Sequence, residues 1–128
     1  MEIITSLQNN KIKELSKLNT KKYRDESNYF LVETNHLVKE AYKTNQLKEI
    51  LCLESFNNDM DIPITYVSEE VMNKLSSMQS PSEVIGVCKK FKTKEYGKRL
   101  ILLDGVQDPG NLGTIIRSAA AFNFDTVV

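Results

Sequence analysis

Hydrophobic positions along this chain fall into short clusters whose spacing alternates between a helical and an extended period. In KIKELSKL, Ile12, Leu15 and Leu18 recur three residues apart, Lys11, Lys13 and Lys17 mostly take the opposite side, and Asn9 or Asn10 can cap the start, which predicts a helix. Tyr29–Glu33 (YFLVE) is aromatic and β-branched and predicts a buried strand. Thr34 and Asn35 offer a cap to a second helix, HLVKEAYKT, with Leu37, Val38, Ala41 and Tyr42 on one side. A strand over Lys48–Leu53, a polar loop SFNNDMD and a strand over Ile64–Val67 after Pro63 come next. Ser68 with Glu69 and Glu70 opens a short helix through Leu75, its acids suited to the positive end of the helix dipole. The turn Ser80-Pro81-Ser82 then leads to a strand over Val84–Cys88.

This order describes a small layered α/β unit over residues 1–90, whose strands are mostly apolar rather than alternating, as expected when helices cover both sheet faces. Residues 91–98, FKTKEYGK, lose all apolar periodicity and read as a linker. Residues 99–128 then repeat the strand-loop-helix-strand theme. Leu100–Leu103 predict a buried strand, Asn111 is the expected cap of a helix through LGTIIRSAAAF with Ile115, Ala119 and Phe122 on its inner side, and Asp125–Val128 open another strand.

Composition changes this picture little. Hydrophobic residues at 41% and charged residues at 27% suit an ordinary globular chain. No apolar run reaches the roughly 18–20 residues of a membrane span, and MEIITSLQNNKIKE lacks a secretory pattern, so the expected compartment is the cytoplasm and no membrane partner is expected. Cys52 and Cys88 sit singly in apolar stretches and are expected as buried reduced thiols. His36, the only histidine, lies beside a helix cap, and no metal site is expected.

Charge changes it more. The net charge is zero, yet residues 1–24 carry +4 and residues 89–99 carry +5, against −7 over 25–88 and −2 over 100–128. A phosphate backbone responds to local potential, so Lys11, Lys13, Lys17, Lys21, Lys22 and Arg24 form a candidate RNA-binding group; the competing reading is a solvated helix face. The sharper chemistry lies where the strand at Leu100 gives way to a helix. Gly110 and Gly113 let a ligand approach the backbone, free N–H groups at the helix start favour an anion, Asn111 can both donate and accept, and Arg117 is the only basic residue after Arg99. An ion pair from Arg117 to Asp104 or Asp108 is the structural alternative. Neither the dinucleotide fingerprint nor a P-loop is present.

The stretch LLDGVQDPGNLGTIIRSAAAFNFD resembles the first signature motif of SpoU/TrmH-family RNA ribose 2′-O-methyltransferases, of the knotted SPOUT class. NNKIKELSKL, KKYRDESNYFLVE, HLVKEA and the SPS turn before VIGVC are similar to the substrate-recognition domain that many members carry ahead of it. The resemblance implies a ribosomal-protein-like α/β/α RNA-binding domain over 1–90, a linker at 91–98 and the first β-α-β piece of the SPOUT domain over 99–128. It implies methyl transfer from S-adenosylmethionine to a ribose in RNA, with rRNA favoured by analogy, and a homodimeric full-length enzyme. Arg117 then matches the arginine that helps activate the ribose hydroxyl, and Asn111 the asparagine that positions it. The family often has glycine where this chain has Thr34, and threonine where it has Ser118. The later motifs and the cofactor knot do not appear, so the chain is expected to be a fragment, inactive alone and confined to RNA binding. A stand-alone RNA-binding module and a plain α/β domain with soluble lysine faces are the alternatives.

Overall fold

The computed structural model describes residues 2–92 and 95–128. It divides into two units, Met1–Phe91 and Lys92–Val128. Thr93 and Lys94, within the expected linker, lie outside the described residues.

The first unit is a five-stranded mixed sheet: β1 (Ile3–Ile4), β2 (Tyr29–Glu33), β3 (Leu47–Cys52), β4 (Ile64–Val67) and β5 (Val84–Lys89), in the spatial order β1-β4-β3-β5-β2. β4 runs parallel to both β1 and β3, whereas β5 is antiparallel to β3 and β2. The helices α1 (Asn10–Ser16), α2 (Lys21–Ser27), α3 (Asn35–Lys43) and α4 (Glu69–Leu75) complete the unit, with a 3-10 turn over Lys17–Asn19.

Strand alternation sorts the core into two layers. Leu51, Ile85, Val87 and Val67 pack with Ile12 of α1 and with Val71, Met72 and Leu75 of α4. Ile50, Cys52, Val84 and Cys88 turn to the other face and meet Val38 and Ala41 of α3. Leu47 shares this second face although it is an odd number of residues from Ile50, because a register shift between Leu47 and Glu49 inserts an extra residue into β3. Both faces are thus covered, which explains why Ile50–Cys52 and Val84–Cys88 run without a polar residue. Gly86 sits at the crowded centre of the second face: a Cβ there would lie 2.7 Å from Leu47 Cδ1 and 3.0 Å from Val32 Cγ2. Both cysteines are free and buried, and burial pushes each thiol up to about 11.

The caps match their sequence signals. Asn9 Oδ1 accepts from the Lys11 and Ile12 amides, Ser68 Oγ from the Val71 amide, and Thr34 Oγ1 from the Leu37 amide. Thr34 does this at φ 78° and ψ 145°, a backbone region suited to glycine and strained for a β-branched residue. Its own amide donates to Ser82 Oγ.

Two elements of this unit carry no hydrophobic period and were not predicted. β1 is two residues long, held by pairing with Tyr66 and Val67. α2, KKYRDES, buries no residue; the left-handed Asn28 ends it, Arg24 Nη1 donates to the Leu18 carbonyl, and Lys90 reaches Asp25 at 2.8 Å.

The second unit holds β6 (Leu100–Ile101), α5 (Pro109–Ala121) and β7 (Thr126–Val127), with β6 and β7 parallel. β6 is shorter than the expected Leu100–Leu103, and α5 starts earlier than expected. Its cap is Asp108, whose carboxylate accepts from the Gly110 amide at 2.8 Å, with Pro109 in the first turn. Asn111 is therefore not the cap.

Candidate nucleic-acid interface and catalytic segment

The six basic side chains singled out on the N-terminal helices separate into three kinds. Lys13, Lys21 and Lys22 are exposed and join no ion pair among the described residues. Lys11 is bound to Glu49 at 2.7 Å and to Thr65 Oγ1 at 3.1 Å. Lys17 is bound to Glu14 at 2.9 Å and lies 5.5 Å from the Tyr23 ring centroid. Tyr23 donates its hydroxyl to the same carboxylate, and these contacts hold Glu14 below the usual glutamate range, the Lys17 hydrogen bond first among them. Arg24 is half-buried and closes the 3-10 turn onto α2, which is a structural duty. Of the second basic segment, Lys90 is taken by Asp25, and Lys94 lies outside the described residues.

The partners of Glu33 are serines: Ser76 Oγ donates to one oxygen, and the Ser77 amide and hydroxyl donate to the other at 3.0 and 2.8 Å. Partial burial pushes this carboxyl up, but the three hydrogen bonds outweigh it, and Glu33 stays below its ordinary value. This links the end of β2 to the loop after α4.

In the second unit, Asp125 organises the entry to the strand-loop-helix segment. Its carboxylate accepts from the Lys98 amide at 3.0 Å and from the Arg99 amide, and Thr126 Oγ1 accepts from the Gly97 amide at 3.0 Å. A Cβ at Gly97 would stand 2.1 Å from Asp125 Oδ1, so only glycine fits. The Thr126 hydroxyl, followed by the Arg99 and Lys98 amides, holds Asp125 below the usual carboxylate range. The Arg99 guanidinium stacks 4.7 Å from the Phe124 ring centroid. None of this was read from the sequence; a single glycine in a lysine-rich stretch was its only trace.

Asn111 and Arg117 are both exposed on α5. Arg117 stands in the third turn rather than the second, because the helix begins at Pro109. Six residues of α-helix separate the two by about 9 Å along the axis and about 120° around it. No hydrogen bond joins them, and Arg117 forms no ion pair with Asp104 or Asp108 among the described residues. The anion expected at the helix start meets a competitor, since the Asp108 carboxylate already occupies the Gly110 amide. Gly105 is needed by its turn, with φ 71°, whereas a Cβ at Gly113 would meet nothing within 4 Å. Phe122, expected on the inner side of the helix, is 71% exposed, and Ala119 is the buried position.

No group of three or more metal-ligating side chains occurs among the described residues, and no helix there is long and apolar enough to cross a membrane.

Comparison with known proteins places these two units. A model described as the MRM3-like substrate binding domain matches residues 9–86, and that of the SpoU rRNA Methylase family matches residues 98–128. The 23S rRNA (guanosine(2553)-2′-O)-methyltransferase RlmP of Bacillus subtilis (strain 168) is 39% identical over all of this chain and 54% of its own length. A solved RNA 2′-O ribose methyltransferase superposes with a TM-score of 0.77 at 30% identity, over 98% of this chain and 54% of the other. An AdoMet-bound rRNA methyltransferase from Sinorhizobium meliloti does so at 0.73 and 28%, over 98% and 53%. The chain thus spans about half the length of the relatives it matches. With its model matched over more than half of the chain, the chain belongs to the MRM3-like substrate-binding domain family, and residues 98–128 in addition match the SpoU rRNA Methylase family model.

Proposed function

We infer that residues 1–90 recognise folded rRNA for an S-adenosylmethionine-dependent ribose 2′-O-methyltransferase, that 91–98 act as a linker, and that 99–128 supply part of its catalytic segment. The observation that carries this reading is the presentation of Lys13, Lys21 and Lys22, without ion partners among the described residues, on α1 and α2 of the unit matched by the substrate-binding model. Lysines already held by carboxylates offer less to a phosphate than unpaired ones. Lys11 and Lys17, held by Glu49 and Glu14, therefore contribute less, and Arg24 contributes by shaping the turn.

Arg117 is the residue assigned to the reacting ribose. A guanidinium stabilises a forming alkoxide and clamps the adjacent phosphate with paired N–H donors. Its freedom from Asp104 and Asp108 leaves it available for that work. Asn111, away from it around the helix, acts on the ribose or its phosphate rather than by holding Arg117 directly. S-Adenosylmethionine would bring the methyl group. No residue described here is assigned to its site, since no buried side-chain polar atom among them stands unpartnered to receive it. The cofactor contacts are assigned to other parts of the enzyme, as is the homodimer contact. The proposed compartment is the cytoplasm.

The test is filter binding of this chain to large-subunit rRNA fragments across a salt series. Changing Lys13, Lys21 and Lys22 together to Gln lowers affinity and reduces the salt slope by about 2 to 3. Equal affinity and slope in the variant would overturn the assignment. In calorimetry the chain alone shows no binding of S-adenosylmethionine; binding would place the cofactor site in these residues after all.

A further inference from the structure

A groove of about 460 Å³ opens on the first unit beside α1 and α2, within the size range of small-molecule sites. Part of its lining is apolar, from Leu15, Leu18 and Val87. Tyr23 and Tyr29 add two aromatic rings from different elements, α2 and β2. Two carboxylates, Glu14 and Glu49, and one lysine, Lys48, supply its charge.

The state of the carboxylates decides what fits. Glu49 Oε2 accepts from Lys11 at 2.7 Å, and its other oxygen accepts no hydrogen bond among the described residues. The side chain is 23% exposed and the free oxygen is not buried, so a ligand in the groove can reach it. Glu14 is likewise neutralised by Lys17, with Tyr23 on its second oxygen. Each negative charge is thus cancelled by its own lysine, and the groove does not repel a polyanion as two bare carboxylates would. What remains is an acceptor edge between aromatic rings, with Lys48 at hand for a phosphate.

Resting on the RNA-recognition reading above, the geometry points to this groove as a pocket for one unpaired guanine of the RNA, stacked on Tyr29 or Tyr23 and read by Glu49. Single-stranded bases are commonly recognised by aromatic stacking combined with hydrogen bonds to their Watson–Crick edge. Guanine is the base that presents a ring N–H and an exocyclic amino group side by side, matching the two-oxygen edge of a carboxylate. Uracil offers a single ring N–H flanked by carbonyls, which a carboxylate repels.

The experiment is a ¹H–¹⁵N titration of the 128-residue chain with GMP, IMP, AMP, CMP and UMP. GMP should shift the amides of Leu15, Lys48, Glu49 and Val87 saturably. IMP, which lacks the exocyclic amino group, should bind about tenfold more weakly, and UMP weaker still. E49Q should abolish the preference of GMP over IMP. K48E, an exposed change that leaves the core intact, should weaken all five nucleotides alike. Loss of the GMP preference in E49Q and weaker binding of all five nucleotides by K48E, without loss of the folded spectrum, support the pocket. GMP that moves no groove amide at millimolar concentration, while rRNA fragments still bind through Lys13, Lys21 and Lys22, overturns the pocket and leaves the RNA reading standing. GMP bound in the groove of a chain that binds no rRNA makes this a free-nucleotide site and overturns its assignment to RNA.

Discussion

The two units of this chain bury their apolar residues to very different degrees. In the first, Ile12, Ile50, Leu51, Ile85, Val38 and Val71 are fully enclosed between one sheet and helices on both of its faces. In the second, Ala119 is the only buried hydrophobic side chain among the described residues, while Leu102 and Phe122 are 74% and 71% exposed. Hydrophobic stabilisation follows the area removed from water, so the first unit holds itself together and the second relies on hydrogen bonds around Asp125 and on a two-residue strand pair. The comparisons follow the same division: the substrate-binding domain model matches residues 9–86 of the first unit, and the methylase model matches only the 31 residues 98–128 of the second.

Truncation tests the contrast most strongly. Leu51→Ala should cost about 2–5 kcal/mol, whereas Phe122→Ala should stay within about 0.5 kcal/mol, both read from urea unfolding. Cys52 and Cys88 provide a second readout of the same event. Their thiols, raised to about 11 by burial, should resist alkylation in the native protein and react as the first unit opens. Equal losses in the two variants would erase the distinction between the units.

Gly86→Ala should destabilise by about 1–3 kcal/mol, because Val32 and Val38 flank the new methyl group and cannot swing away as Leu47 can. Gly113→Ala, where a Cβ meets nothing, should leave stability unchanged or slightly improved. Any loss of rRNA affinity it caused would then report on a ligand's approach.

Glu33→Gln should cost about 1 kcal/mol at neutral pH, since a neutral amide replaces the charged acceptor of the Ser76 and Ser77 donors. The pH dependence has a definite sign. The native carboxyl lies below its unfolded value, so its stabilisation is complete above the ordinary glutamate pKa and is lost as pH falls through the lowered native one. The variant should therefore show a flatter acid limb and converge with the parent at low pH. One substitution should act in the opposite direction. Thr34→Gly should raise stability by about 1 kcal/mol, as relief at φ 78° exceeds the few tenths lost with the threonine cap. A loss there would show that the Thr34 hydroxyl matters more than its backbone costs.

Much of the fold was legible because the burial of each element left a periodic trace. Ile12 and Leu15 marked α1, and the apolar stretches Ile50–Leu53 and Val84–Cys88, within the expected strands Lys48–Leu53 and Val84–Cys88, marked the central strands. α2 left no such trace: it buries nothing and is fixed by Arg24, Asn28 and the Asp25–Lys90 pair, contacts that join residues up to 65 positions apart. The cap of α5 was misread for a related reason. Asn111 and Asp108 are both good caps, and the fixed φ of Pro109 settled the start one turn earlier.

The candidate sites divide along the same line. Residue type and order alone determined which basic side chains exist on the N-terminal helices, and that Arg117 is the one cation of the helical motif. Tertiary structure decided which of them are free. Lys11 is neutralised by Glu49, 38 residues away, whereas Lys13, two positions on, has no ion partner among the described residues. The Glu33–Ser76–Ser77 contact, the Gly97–Asp125 fit and the Tyr23–Tyr29 groove likewise join side chains from separate elements. Periodicity records what each segment buries, because burial acts on every turn and every pleat. Charge pairing and pocket formation act between single atoms brought together by the chain's path, and they leave no period to read.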